Sequence, residues 1–454
     1  MQCFSPQQPD ISPVLTSAPP TPKPKSIKKD VAEREESAIT KTERDENKNP
    51  EASTRTLPAE KKVPVFSSEK QEKATHAPLK SERNYGIDLL KTLAMLMVVI
   101  LHILGQGGVI GATAYPEPTH WMAWFLEIES YGAVNCFAIA TGFLMAGRKV
   151  KYRRLVSLWV TVEFYNIAFY LLYRYFPIPG VSLLDVSNFY PVYSGQFWYF
   201  TAYFGMFLFI PFFNALIEKL SKKQLYFMLL TAFILFPVGS NLYGYEPFGL
   251  TGGYSMWWLT LMYFVGAAIA KHGFLRKTPT YLALIGYIGC TLVTFAGRML
   301  VSYVIANPVG DWTEWIILYG QLLVNYNAPF VLFGAIFLVI FCLNLEIPRK
   351  LGKAIAKIQP FVFQVYIIHL HYYVWKGIIT GSFAHFAKKK WYMLPLWVEG
   401  TAVLIFAACI LIDVCRHWLF KLLHIEKIID AVSFGICRWY EKSKLKKKID
   451  ALLA

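Results

Sequence analysis

The stretch Tyr85–Gly108, YGIDLLKTLAMLMVVILHILGQGG, constrains the chain more than any other. At about 24 residues it is long enough to cross a bilayer as a helix. It also carries three ionisable residues, Asp88, Lys91 and His102. At about 100° per residue, the eleven steps from Lys91 to His102 make three turns plus about 20°, and the fourteen from Asp88 fall within about 40° of whole turns. All three therefore share one helix face, with Lys91 and His102 roughly 16 Å apart along the axis. Ionisable groups inside a span are costly and face a protein interior or a polar cavity rather than lipid. A juxtamembrane Asp88–Lys91 pair and a packing histidine is the alternative reading of the same residues.

Further apolar runs follow. The chain is 55% hydrophobic and 16% aromatic with only 17% charged residues, which excludes an ordinary soluble domain. The runs predict an all-α, polytopic transmembrane helical bundle of about ten helices, at 85–108, 121–145, 155–176, 197–217, 224–240, 255–271, 280–300, 322–344, 358–379 and 393–413. Residues 1–82 are polar, rich in Pro, Ser, Lys and Glu, and read as a disordered cytoplasmic tail. The membrane domain then spans 83–415, and 416–454 reads as a basic cytoplasmic tail.

Loop charges give the orientation. The formal charge of +16 gathers in short loops rather than in a nucleic-acid-binding patch, so no nucleic-acid partner is expected. RKVKYRR, EKLSKK, HGFLRK and PRKLGKAIAK alternate with loops 109–120, 177–196, 241–254 and 301–321, which hold no Lys or Arg. Only the last outer loop breaks the pattern, with Lys388, Lys389 and Lys390, and by the positive-inside rule both termini are cytoplasmic. The outer loops are instead rich in Tyr, Trp, Gly and Pro, suited to a headgroup belt or to stacking on sugars. Seven cysteines without C-x-x-C spacing imply no metal site.

Several spans bring polar residues into the bilayer: His102, then Glu127, Glu129 and Asn135, then Glu163 and Asn166, then Tyr366 and His369 three residues apart. Together they predict a wet intramembrane cavity. A histidine there can take a proton from a hydroxyl that attacks a carbonyl. Glu163 is the candidate acid to orient it. Arg153 and Arg154, at the cytoplasmic membrane face, can hold the phosphates of a nucleotide-like donor, besides setting topology.

The motifs resemble those of the acyltransferase 3 family of membrane O-acyltransferases. Asp88-Leu-Leu-Lys91-Thr-Leu-Ala94 followed by His102 is similar to its first-helix hallmark, a basic residue, ten intervening residues and then a histidine. Phe137 to Leu144, the basic Lys151-Tyr-Arg153-Arg154, the run from Phe197-Trp198-Tyr199 to Pro211, and Tyr366-Ile-Ile-His369 follow in family order. The resemblance implies transfer of an acyl group, usually acetyl from acetyl-CoA, to a hydroxyl of a cell-surface glycan or lipid-linked sugar. It implies His102 as the essential histidine with Lys91 paired to it. Arg153 or Arg154 matches the family's basic position, and these two with Tyr366 and His369 are the donor-binding candidates. No metal is implied. A transporter or flippase, or a membrane domain for serine uptake or sensing, is the competing expectation, and oligomeric state is left open.

Overall fold

The computed structural model describes residues 83–183, 186–244 and 246–443. The expected tail at 1–82 and the residues beyond 443 lie outside the described residues. Among these, every regular element is helical.

Helix α1 (Tyr85–Leu104) begins where Asn84 accepts a hydrogen bond from the Ile87 N–H, an N-cap of the usual kind. Then come α2 (Pro118–Ser130) and α3 (Ala133–Met145), α4 (Arg153–Tyr175), α5 (Trp198–Lys219) and α6 (Lys222–Tyr243). The second half contains α7 (Met256–His272), α8 (Thr280–Ala306), α9 (Trp312–Leu322), α10 (Pro329–Asn344), α11 (Arg349–His369), α12 (Leu394–Leu422) and α13 (Ile425–Lys442).

Among the described residues, seven segments, not ten, are long and apolar enough to span a membrane: α1, α2 with α3, α4, α5, α6, α8 and α12. The other three expected spans fall short for identifiable reasons. Helix α7 has 17 residues and α10 has 16, below the roughly 20 that a bilayer core requires. Helix α11 is 21 residues long, but Arg349, Lys350, Lys353 and Lys357 occupy its first half. The segment expected at 358–379 is not one helix. It breaks at Leu370–His371 and resumes as a short turn, Tyr372–Val374, leading into a π turn, Trp375–Ile379. From 416 onward, the region expected as a tail is helical as far as Lys442.

Helix α1 is the hub, packed against α2, α3, α10, α11 and α12. Its small and branched residues Ala94, Val99, Ile103 and Leu104 are fully buried. Helices α3 and α7 cross at backbone contact distance, because a Cβ on Gly142 would lie 2.0 Å from the Tyr263 carbonyl oxygen and one on Gly266 would lie 2.1 Å from that of Ile139. Small residues at a crossing let membrane helices approach this closely. The chain is therefore a multi-pass, all-α membrane bundle built around its first span.

Candidate active site

The cytoplasm-predicted end of α1 is tied down by its own charges. Asp88 is buried and takes a hydrogen bond from Arg83 at 2.5 Å, with the Lys91 ammonium 3.7 Å away. Gln359 of α11 donates to the Asp88 carbonyl and to the Thr92 hydroxyl, both at 2.8 Å. Lys91 is thus held at the start of α1 and also feels the charge of Arg154 on α4.

Three turns further on, the His102 ring meets the end of α11. Its Nδ1 lies 2.9 Å from Nε2 of His369, and the Nδ1 of His369 hydrogen-bonds the Val365 carbonyl oxygen. A carbonyl only accepts, so His369 carries its proton on Nδ1 and its Nε2 bears a lone pair. Nδ1–H of His102 must then be the donor, and the proton-free nitrogen of His102 is Nε2. This fixes the tautomer through the bond made by the other ring nitrogen. The Trp375 ring packs against the same ring at 5.0 Å between centroids, with the two planes 84° apart.

His102 lines a cavity of about 30 Å³ with Phe137, Trp198, Tyr199, Tyr326 and Tyr366, enough space for roughly two water molecules. The Tyr366 hydroxyl accepts the Tyr199 N–H at 3.1 Å. That N–H belongs to the first turn of α5, whose donors have no partner within the helix. From the cavity an aromatic series continues through Tyr199 to Tyr203, with Phe363 beside both. Tyr203 in turn feels the charge of Arg154. The ring of His102 and the basic end of the bundle are therefore joined by a track of aromatic side chains.

The structure brings together some expected residues and separates others. His102, His369 and Tyr366 share the cavity region, and Lys91 and Arg154 lie together at the basic end. Glu163, expected to orient His102, interacts instead with Asn166 on its own helix and has one buried oxygen without a partner; His369 has the expected place of Glu163 beside the ring. Arg153 turns away from the cavity and pairs with Glu426 at 2.6 Å and with Asp430, both on α13. That commits it to the C-terminal helix and leaves Arg154 as the arginine nearer Lys91. Trp375 and Gln359 carried no signal in the sequence, since each becomes relevant only through a contact between distant helices. Among the described residues, no group of three or more His, Cys, Asp or Glu could hold a metal ion.

No curated protein and no solved structure matches the chain. The acyltransferase 3 family model, described as an acyltransferase domain, matches residues 84–414. That range runs from the cap of α1 into α12 and includes His102, Lys91, Arg154, Tyr366 and His369. This chain belongs to the acyltransferase 3 family of membrane transferases.

Proposed function

We infer that the protein is an O-acyltransferase of a bacterial inner membrane, moving an acetyl group from acetyl-CoA to a hydroxyl of a cell-surface glycan or lipid-linked sugar. The single observation that carries this is the His102–His369–Val365 relay, which presents Nε2 of His102 as a base within a span. The basic loop ends support an arrangement with both termini cytoplasmic, where acetyl-CoA is found. At that end Lys91 and Arg154 supply positive charge for the donor's phosphates, and Tyr199, Tyr203 and Phe363 offer an apolar track for its thioester arm.

The chemistry follows from the tautomer. The acceptor hydroxyl hydrogen-bonds to Nε2 of His102, which takes its proton as the oxygen attacks the thioester carbonyl carbon. The tetrahedral adduct collapses, the C–S bond breaks, and the imidazolium returns the proton to the departing thiolate. His369 accepts from Nδ1–H throughout and stabilises the cation while it lasts, as an orienting partner does for a catalytic histidine. The acyl group and acceptor need more room than two waters occupy, so reaction requires the aromatic lining to part.

The test is His102→Ala in the full-length chain. Surface glycans from cells carrying the wild-type gene should contain an acetyl ester that those of the variant lack, with equal protein in the membrane. Unchanged acetylation in the variant would rule out the catalytic role.

A further inference from the structure

Beyond the His102 cavity, α2 carries an unusual group of buried polar atoms with no partner. Nε1 of Trp124, Oε2 of Glu127 and Oγ of Ser130 are all orphaned, as is Nε of Arg298 on the neighbouring α8. The Arg298 guanidinium lies over the Trp124 ring at 3.9 Å. Glu127 is only 8% exposed. Buried polar atoms are nearly always paired, and each exception calls for a reason. Two donors, one carboxylate oxygen and a hydroxyl occupy three positions of one helix and one of its neighbour. Apolar packing does not explain such a mixture.

The group adjoins the outer wall of the cavity. Tyr131, one turn beyond Glu127, packs on Tyr326 at 5.5 Å. Tyr326 packs on Tyr254 at 4.8 Å and lies nearly parallel to Trp198, with centroids 6.1 Å apart and planes 20° from parallel. Trp198 and Tyr254 are 4.6 Å apart. The Glu127 carboxylate is close enough to interact electrostatically with Tyr131, Tyr254 and Tyr326, and Arg298 interacts with Tyr131 as well. Tyr326 and Trp198 are also walls of the cavity around His102. The wall itself is held firm by Asn135, which donates to the Tyr326 carbonyl at 2.8 Å and accepts from Nε1 of Trp258 at 2.7 Å.

We propose that Glu127, with Arg298 and the Trp198–Tyr254–Tyr326–Tyr131 rings, is a carbohydrate subsite that holds the acceptor sugar while its reactive hydroxyl reaches His102. A sugar fits because it needs all three components. Its C–H face lies on aromatic rings, its hydroxyls donate to a carboxylate, and the same hydroxyls accept from a guanidinium or indole N–H. The buried Glu127 carboxyl, whose Oε2 has no partner within the protein, can accept from one sugar hydroxyl and donate to another. This inference rests on the acyltransferase reading for the identity of the reaction but not for the binding of sugar.

The experiment uses the full-length chain in lipid nanodiscs, titrated with octyl β-glucoside and octyl N-acetyl-β-glucosaminide below their micellar concentrations. Binding is followed by tryptophan fluorescence, and CoA release from acetyl-CoA is followed separately with a thiol reagent. Wild-type protein should give a saturable response to at least one glycoside. Glu127→Gln should raise the half-saturating concentration by about tenfold or more. Tyr254→Phe, which keeps the ring, should change affinity by less than Glu127→Gln does. A wild-type chain that responds to neither glycoside, or a folded Glu127→Gln variant that binds as wild type does, overturns the subsite. If Glu127→Gln melts well below wild type, the comparison passes to Arg298→Gln, for which unaltered affinity likewise overturns it. Saturable binding without any CoA release in the wild type refutes the acyltransferase reading instead and leaves the sugar subsite in place.

Discussion

Replacing His369 with alanine removes the acceptor for Nδ1–H of His102 and leaves that proton unpaired in a pocket lined by apolar and aromatic side chains. An unsatisfied buried donor costs about 1–3 kcal/mol. The imidazole can escape this cost by moving its proton to Nε2, where it can hydrogen-bond towards the cavity. That tautomer has no lone pair on the reacting nitrogen. If the reactive form becomes the minor one by the same 1–3 kcal/mol, turnover falls roughly 5- to 160-fold. Loss of the base itself in His102→Ala should cost more, about 10²–10⁴-fold. The two residues act as one unit, so the double variant should be no slower than His102→Ala alone. In His369→Gln the amide oxygen can accept from Nδ1–H, and activity should return to within about tenfold of wild type. The assay is release of CoA from acetyl-CoA by nanodisc-embedded protein, with thermal unfolding measured on each variant. A folded His369→Ala variant within about twofold of wild type, or a double variant whose loss is the product of the two single losses, would refute the relay.

Further substitutions test the scaffold. Asp413 is fully buried in α12 and takes two hydrogen bonds from Arg416, at 2.6 and 3.1 Å, and one from the Tyr165 hydroxyl at 2.6 Å; Asp413→Asn leaves the guanidinium without a countercharge. It should lose about 3–5 kcal/mol, read as a lowered unfolding midpoint, and pairing Asp413→Leu with Arg416→Leu should recover most of it. Gly142→Ala drives a methyl into the Tyr263 carbonyl and should cost about 1–3 kcal/mol or more. Gly400→Ala on α12, where a Cβ meets nothing within 4 Å, should be neutral or stabilising by up to about 1 kcal/mol; equal effects at the two sites would remove the close-crossing argument.

Periodicity within one helix was enough to mark α1 as a span and to put Asp88, Lys91 and His102 on a shared face. Those angles follow from local backbone geometry and need no partner. The order of motifs from Asp88 to His369 was legible in the same way, and it pointed to the family whose model covers 84–414. The number of spans was less legible. Apolar runs at α7 and α10 look like spans to a hydropathy count, but α7 is buried almost throughout its middle by its neighbours. An apolar segment reads alike whether lipid or protein surrounds it.

The partner of His102 was decided by the tertiary structure alone. His102 and His369 are 267 residues apart in the chain, and they meet because α11 packs on α1 and ends at that level. Glu163 had the right chemistry but belongs to α4, which packs mainly on α13 and not on α1, and Arg153 was claimed by the carboxylates of α13. Composition and spacing determine what each helix can offer and in which direction. Which offers meet depends on many small packing terms summed between helices, including the backbone approach at Gly142 and the break after His369, and no single residue encodes that sum.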